Sequence, residues 1–170
     1  MKLEEKIRDI PDFPKKGIIF KDITTLLKDA DAFRWVIDGL AAEFSGGEID
    51  MVVAIESRGF ILGGAVAHRL GLGFVPVRKL GKLPAETIQA SYDLEYGSNT
   101  VEMHRDAIKP GQRVLVVDDL LATGGTVEAT VRLIEDLGGE IAGVAFLIEL
   151  DFLHGRDKLS GYRVVSLVHY

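Results

Sequence analysis

The chain contains no cysteine, and this absence narrows the kinds of protein that it can be. Without thiols it can form neither a disulfide framework nor a thiolate zinc site, and its composition gives no argument for secretion. Its 170 residues are enough to bury a core without such cross-links. We therefore expect a single domain over residues 1–170. Because the charged N-terminal segment has no apolar signal-peptide stretch, we also expect a cytoplasmic location.

The chain also lacks an excess of positive charge and a long apolar run. Its 20 Lys and Arg residues against 26 Asp and Glu residues give a net charge of −6, which disfavours a nucleic-acid partner. The longest apolar stretches, such as residues 141–148, are far shorter than the ~18 residues that span a bilayer. We expect neither nucleic acid nor a membrane as a partner.

Short apolar runs alternate with amphipathic helical patterns along most of the chain. The runs are residues 51–55, 74–77, 114–117, 141–148 and 164–168. One helical pattern begins after Asp29 or Asp31, either of which can cap it. Uniformly apolar strands that alternate with such helices are typical of a parallel sheet covered on both faces. The pattern therefore predicts an α/β fold, in which ligands bind at the carboxyl ends of the strands.

Two segments depart from this alternation. Residues 2–9 have a short helical pattern that ends at the prolines Pro11 and Pro14. Residues 78–106 contain a polar and aromatic stretch whose alternation predicts a β-hairpin or a mobile flap.

The strongest chemical signal lies where an apolar strand pattern ends in Asp118 and Asp119. The small residues of 122–126 follow, and a helical pattern begins directly after them. Glycine amides, threonine hydroxyls and a helix N-terminus together form a phosphate cradle. The segment fits neither the nucleoside triphosphate nor the dinucleotide glycine motif. The carboxylates suit ribose hydroxyls or hydrated magnesium, so a sugar phosphate is implied; the alternative is an ordinary turn with solvated carboxylates.

The sequence of this segment, VLVVDDLLATGGT, resembles the phosphoribosyl pyrophosphate (PRPP) signature of the type I phosphoribosyltransferases. Residues 11–29, 56–63, 78–84 and 90–97 are similar to further blocks of that family, in the same order. The resemblance implies a central, mostly parallel sheet flanked by helices, with a small N-terminal hood and a flexible catalytic flap. It also implies a purine salvage reaction in which PRPP and adenine form AMP and pyrophosphate, with Mg²⁺ carried on PRPP, in a homodimer.

The resemblance assigns a role to each matched residue. The 5-phosphate is expected on Ala122, Thr123, Gly124, Gly125 and Thr126, and the ribose hydroxyls on Asp118 and Asp119, which would meet magnesium only through water. The pyrophosphate is expected on Ser57, Arg58, Gly59, Arg78, Lys79 and Lys82, in part across a dimer interface. Adenine is expected near Ile19, Phe20, Lys21, Arg58 and Leu150. Glu95, beside Tyr96 in the flap, is the candidate acid/base for a ring nitrogen of adenine, and Arg58 is the second candidate catalytic residue.

Three other functions stay open at this point. Guanine, hypoxanthine, xanthine or orotate could replace adenine, although the PDFP, ESRGF and LEYG blocks favour adenine. A non-catalytic PRPP sensor could keep the same pocket, because a fold does not determine a function. A signalling receiver domain also carries aspartates at a strand end, but its phosphoacceptor would not be followed by LLATGGT.

Overall fold

The computed structural model describes residues 1–94 and 96–170. Its strands are β1 (Arg8–Pro11), β2 (Ile19–Asp22), β3 (Met51–Ile55), β4 (Gly73–Lys79), β5 (Thr87–Asp93), β6 (Ser98–His104), β7 (Arg113–Leu121), β8 (Glu140–Glu149) and β9 (Val164–His169). Its α-helices are α1 (Thr24–Leu27), α2 (Ala30–Phe44), α3 (Arg58–Leu70) and α4 (Gly125–Asp136). Short 3₁₀ helices span Leu3–Lys6, Asp151–Leu153 and Gly155–Leu159.

The described residues form a seven-stranded main sheet in the order β5-β6-β4-β3-β7-β8-β9. The neighbouring strands β4, β3, β7, β8 and β9 pair in parallel. Strand β6 runs antiparallel to β4 and to β5. The predicted α/β fold with a mostly parallel sheet is therefore confirmed. The hairpin formed by β5 and β6 is the one predicted within residues 78–106.

Helices cover both faces of the parallel strands. On one face, α2 and α3 contribute Val36, Leu40 and Leu62 to a core that includes Leu115 of β7. On the other face, α4 contributes Val131 and further apolar residues to a second core with β3, β7 and β8. Asp29 caps α2, because its Oδ1 accepts hydrogen bonds from two backbone N–H groups in the first turn, each at 3.1 Å. None of the helices in the described residues is long and apolar enough to cross a bilayer.

The predicted helical segment over residues 2–9 is wrong at its C-terminal end. Leu3–Lys6 forms a single 3₁₀ turn, and Arg8–Pro11 is instead a strand that pairs with Ile19–Asp22. The cross-strand ion pair between Arg8 and Asp22 and the burial of Ile7 favour this hairpin over a short helix with little apolar surface. This hairpin is the N-terminal hood.

Strand β7 also extends further than its apolar run predicts. Asp118 pairs with Phe146 of β8 and Leu120 with Ile148, so the two carboxylates lie within the strand and not after it. The reason is that backbone hydrogen bonding to β8 continues past the last uninterrupted apolar residue. The loop 122–124 then leads directly into α4.

Candidate active site

A cavity of about 540 Å³ lies at the carboxyl ends of β3, β4 and β7. Among the residues assigned from the sequence, those that line it are Ser57, Arg58, Lys79, Lys82, Asp118, Asp119 and Thr126. Glu56 and Tyr92, to which the sequence assigned no role, line it as well. Because parallel strands bring their carboxyl ends to one edge, residues more than 60 positions apart in the chain meet here.

The loop 122–124 and the start of α4 form a tight turn beside this cavity. Gly124 adopts a φ of +84°, and a Cβ there would lie 2.6 Å from the carbonyl oxygen of Gly155. A side chain at this position would therefore be strained and would clash with backbone. The same loop lines a small adjoining cavity of about 80 Å³ together with Asp118. Tyr92 of the hairpin packs so closely on Gly125 that a Cβ there would lie 2.9 Å from its ring.

Asp118 and Asp119 occupy different environments although they are neighbours. Asp119 is buried and its Oδ2 accepts a hydrogen bond from Arg58 Nε at 2.5 Å. Asp118 has an oxygen 2.9 Å from the backbone N–H of Asp119. Burial, followed by repulsion from the Asp119 carboxylate, raises the pKa of Asp118 well above its ordinary value. Asp119 is therefore a carboxylate paired with a cation, whereas Asp118 has a raised pKa and ionises less readily.

Arg58 connects the carboxylates to the hood. It begins α3, binds Asp119, and places its guanidinium carbon 5.1 Å from the ring centre of Phe20. Phe20 also packs edge-on against Phe13, with ring centres 5.2 Å apart. Arg58 and Phe20, assigned to adenine from the sequence, are thus neighbours.

The basic residues at the end of β4 and directly after it gather around Glu56, which follows β3. Its side chain is only 8% exposed and accepts hydrogen bonds from the Lys79 N–H at 2.6 Å and from Lys82 Nζ at 2.8 Å. Arg78 Nη2 lies at 3.5 Å from the same carboxylate. Burial raises the pKa of Glu56, but the hydrogen bonds from Lys82 and Lys79 and the charge of Arg78 outweigh it, so the net pKa lies below its ordinary value. Arg78 itself does not line the cavity.

Several other assigned residues lie outside the cavity lining. Ile19 is 58% exposed and Tyr96 is 84% exposed. Lys21 of the hood binds Asp9 at 2.7 Å and lies 3.5 Å above the ring of Tyr170. Leu150 is partly buried and packs against the core on the α2 side of the sheet. Glu95 lies outside the described residues.

Sequence reasoning missed two carboxylates of this region. Glu56 comes directly after an apolar strand, and this position at the carboxyl end of β3 was a usable signal. Glu102 is buried in β6 and accepts hydrogen bonds from the N–H groups of Lys82 and Leu83 and from the Thr87 hydroxyl. No sequence signal marks Glu102, because its partners lie 15 to 20 positions away in the chain.

Comparison with known proteins identifies the family. The family model described as "Phosphoribosyl transferase domain" matches residues 24–167. An adenine phosphoribosyltransferase of Acidobacterium capsulatum is 61% identical over 168 residues, which cover 99% of this chain and 93% of that protein.

Solved structures agree with this match. The crystal structure of adenine phosphoribosyltransferase from Thermoanaerobacter pseudethanolicus has a TM-score of 0.97 at 56% identity and covers 99% of this chain and 98% of its own. The Saccharomyces cerevisiae enzyme, solved with an imino-altritol bisphosphate and adenine, has a TM-score of 0.92 at 42% identity and covers 98% and 96% of the two chains. The chain described here belongs to the adenine phosphoribosyltransferase family of phosphoribosyltransferases.

Proposed function

We propose that this chain transfers the 5-phosphoribosyl group of PRPP to adenine, forming AMP and releasing pyrophosphate. The observation that carries the proposal is the composition of the 540 Å³ cavity. Cations from α3, from the end of β4 and from the segment directly after it line one part of the cavity. Two adjacent carboxylates line another part, and the loop before α4 adjoins it. A ribose that carries phosphate at one end and pyrophosphate at the other needs this combination of charges.

The substrate is placed by matching each group to its chemical complement. The 5-phosphate lies on Ala122–Thr126, where backbone N–H groups and the N-terminus of α4 favour an anion. The ribose hydroxyls donate hydrogen bonds to Asp118 and Asp119. The pyrophosphate lies against Arg58, Lys79 and Lys82, and adenine lies on the hood side beside Arg58 and Phe20.

The reaction replaces one bond at the anomeric carbon by another. The bond from C1 to the pyrophosphate oxygen breaks, a ring nitrogen of adenine bonds to C1, and that base loses a proton. Negative charge grows on the leaving pyrophosphate, and the cations at the cavity wall stabilise it in the transition state. The hairpin of β5 and β6 covers the site so that water does not capture the sugar. Glu95, which stands between β5 and β6 in the sequence, moves the proton of adenine.

Magnesium enters as part of the substrate. Among the described residues that line the cavity, the carboxylates of Asp118 and Asp119 are the ligand type that Mg²⁺ prefers, and Asp119 is already held by Arg58. This donor set fits a hydrated ion carried by PRPP, which Asp118 and Asp119 would hold through water. When bound, magnesium would neutralise part of the pyrophosphate charge.

The proposal extends to the state of the protein in the cell. The chain works as one catalytic domain over residues 1–170, forms a homodimer and is located in the cytoplasm. These statements rest on the family resemblance and on the even distribution of motifs along the chain.

A double variant of the carboxylates tests the proposal. Each hydrogen bond to a charged group contributes about 1.5–3 kcal/mol, so Asp118→Asn with Asp119→Asn is expected to lower kcat/KM for PRPP by about 100-fold or more. AMP formation from PRPP, magnesium and adenine is measured for both proteins. The exposed Asp136 on α4 provides the control Asp136→Asn, which should retain wild-type rates.

Two results would contradict the proposal. Wild-type activity in the double variant would show that the ribose hydroxyls do not depend on these two carboxylates. Tight PRPP binding by the wild type without AMP formation would favour the sensor.

A further inference from the structure

Glu56 is a buried carboxylate that the mechanism above does not use. Its side chain is 8% exposed, and it follows β3 directly at the edge where the cavity opens. Burial of an ionised group is unfavourable unless hydrogen-bond donors compensate for the lost water. A carboxylate is also an unexpected neighbour for a pyrophosphate subsite, because like charges repel. Its position therefore requires an explanation within the site.

The donors that compensate Glu56 all come from the end of β4 and the segment directly after it. Glu56 Oε1 accepts from the backbone N–H of Lys79 at 2.6 Å, and Oε2 accepts from Lys82 Nζ at 2.8 Å. Arg78 Nη2 is more distant, at 3.5 Å. One carboxylate thus binds both the last residue of β4 and the side chain of Lys82.

The contact with Glu56 leaves most of the ammonium of Lys82 available. An ammonium group carries three N–H donors, and Glu56 takes one of them. Lys82 also lines the cavity, and its side chain is 45% exposed. A lysine that is held through one of its N–H groups can donate the others to phosphate oxygens. Its side chain is already ordered, so binding does not incur the entropy cost of ordering it.

Glu102 holds the backbone of the same segment separately. It accepts hydrogen bonds from the N–H of Lys82 at 3.1 Å and of Leu83 at 2.9 Å. The path of the chain at this point therefore does not depend on Glu56. What Glu56 adds at Lys82 is the direction of the side chain.

We propose that Glu56 is a positioning residue for the pyrophosphate subsite, which acts by holding the Lys82 ammonium at the cavity wall before the substrate binds. The inference rests on the proposed function, because it assumes that pyrophosphate binds at these cations. Glu56 touches neither substrate nor reacting atoms in this role.

Isothermal titration of the intact protein with magnesium pyrophosphate tests the proposal. Glu56→Gln keeps an oxygen that can accept from the Lys79 N–H but removes the charge that holds Lys82. Loss of side-chain ordering is expected to weaken pyrophosphate binding by about 2- to 12-fold, while the KM for adenine and the melting temperature stay near wild type. The matched control is Glu86→Gln, which removes the same charge from an 80% exposed side chain four residues from Lys82 in the sequence and should leave binding near wild type.

A double-mutant cycle separates positioning from a general structural role. If Glu56 acts through Lys82, Glu56→Gln costs clearly less pyrophosphate affinity in the Lys82→Ala background than in the wild type. Full additivity of the two changes would overturn the proposal. So would unchanged or tighter pyrophosphate binding in Glu56→Gln, or a parallel loss of adenine and pyrophosphate affinity.

Two further arms keep the test decisive. If Glu56→Gln does not fold, Glu56→Asp replaces it, because the shorter carboxylate cannot reach both donors; unchanged pyrophosphate binding would then overturn the proposal. Binding and turnover are read separately. If the wild type makes no AMP, the proposed function is refuted. If Glu56→Gln still binds pyrophosphate more weakly than the wild type in that case, the role of Glu56 in positioning Lys82 is retained.

Discussion

At the scale of single residues, the space beside Asp118 is limited by Gly59, the second residue of α3. A Cβ at this position would lie 2.6 Å from Asp118 Oδ1, well inside contact distance. Gly64, on the same helix, has no heavy atom within 4 Å of the corresponding position among the described residues. The two glycines therefore form a matched pair within one helix.

We predict that Gly59→Ala displaces the Asp118 carboxylate and lowers kcat/KM for PRPP by at least about tenfold, because a misplaced ribose contact weakens the transition state. Gly64→Ala should keep wild-type kinetics and stabilise the fold by about 0.5–1 kcal/mol, since alanine favours a helix interior over glycine. Steady-state kinetics and denaturant unfolding measure both effects. Equal kinetics for the two variants would show that Asp118 tolerates displacement.

Asp22 in the hood gives a prediction about pH. The backbone N–H of Thr24, followed by the Arg8 guanidinium, lowers the pKa of Asp22 from 3.8 to about 2. A carboxylate whose pKa is lowered by folding stabilises the fold at pH values above its pKa in the unfolded chain. That contribution is lost as the pH falls from about 4 towards 2. We expect the free energy of unfolding to fall less steeply over this window in Asp22→Asn than in the wild type. Identical slopes would contradict the role of Asp22.

The sequence predicted some residues of the site better than others for a physical reason. Asp118, Asp119 and Thr126 stand within one contiguous motif whose local geometry follows from the chain itself. Glu102 acquires its role from partners on other segments, so no local pattern could reveal it. The roles of all the assigned residues stay predictions; the structure adds which of them share a cavity.

At the scale of elements, hydrophobic patterning predicted the parallel strands but not their ends. The apolar run Val114–Val117 is buried on both faces, and its pattern predicts a strand. The extension of β7 to Leu121 depends instead on hydrogen bonds with β8. The N-terminal segment was predicted incorrectly because its pairing with residues 19–22 is a tertiary contact. Patterning reports burial, and strand ends are set by pairing.

The hairpin of β5 and β6 is the element on which catalysis is expected to depend most. Glu95→Gln should lower kcat by about 100-fold, within the range for a general acid/base, and should leave PRPP affinity nearly unchanged. Steady-state kinetics and PRPP titration measure the two quantities. The control is Asp93→Asn, an exposed carboxylate in the same hairpin. Comparable losses in turnover and affinity would argue against proton transfer by Glu95.

At the scale of the whole molecule, the fold brings the loop before α4, the cations and the hood to one edge of the sheet. One chain has a mass of 18.6 kDa. We expect sedimentation equilibrium to give twice this mass, as a homodimer requires. A species of 18.6 kDa at assay concentrations would contradict the homodimer.

The central claim is that the cavity joins adenine, and no other base, to the phosphoribosyl group. The most direct test measures kcat/KM of the purified protein with PRPP and magnesium for adenine, hypoxanthine, guanine, xanthine and orotate in separate reactions. We predict base-dependent pyrophosphate release with adenine, at an efficiency at least about 1,000-fold above that of any other base, because unpaired buried polar groups disfavour the wrong base. Equal or greater efficiency with another base would contradict the account.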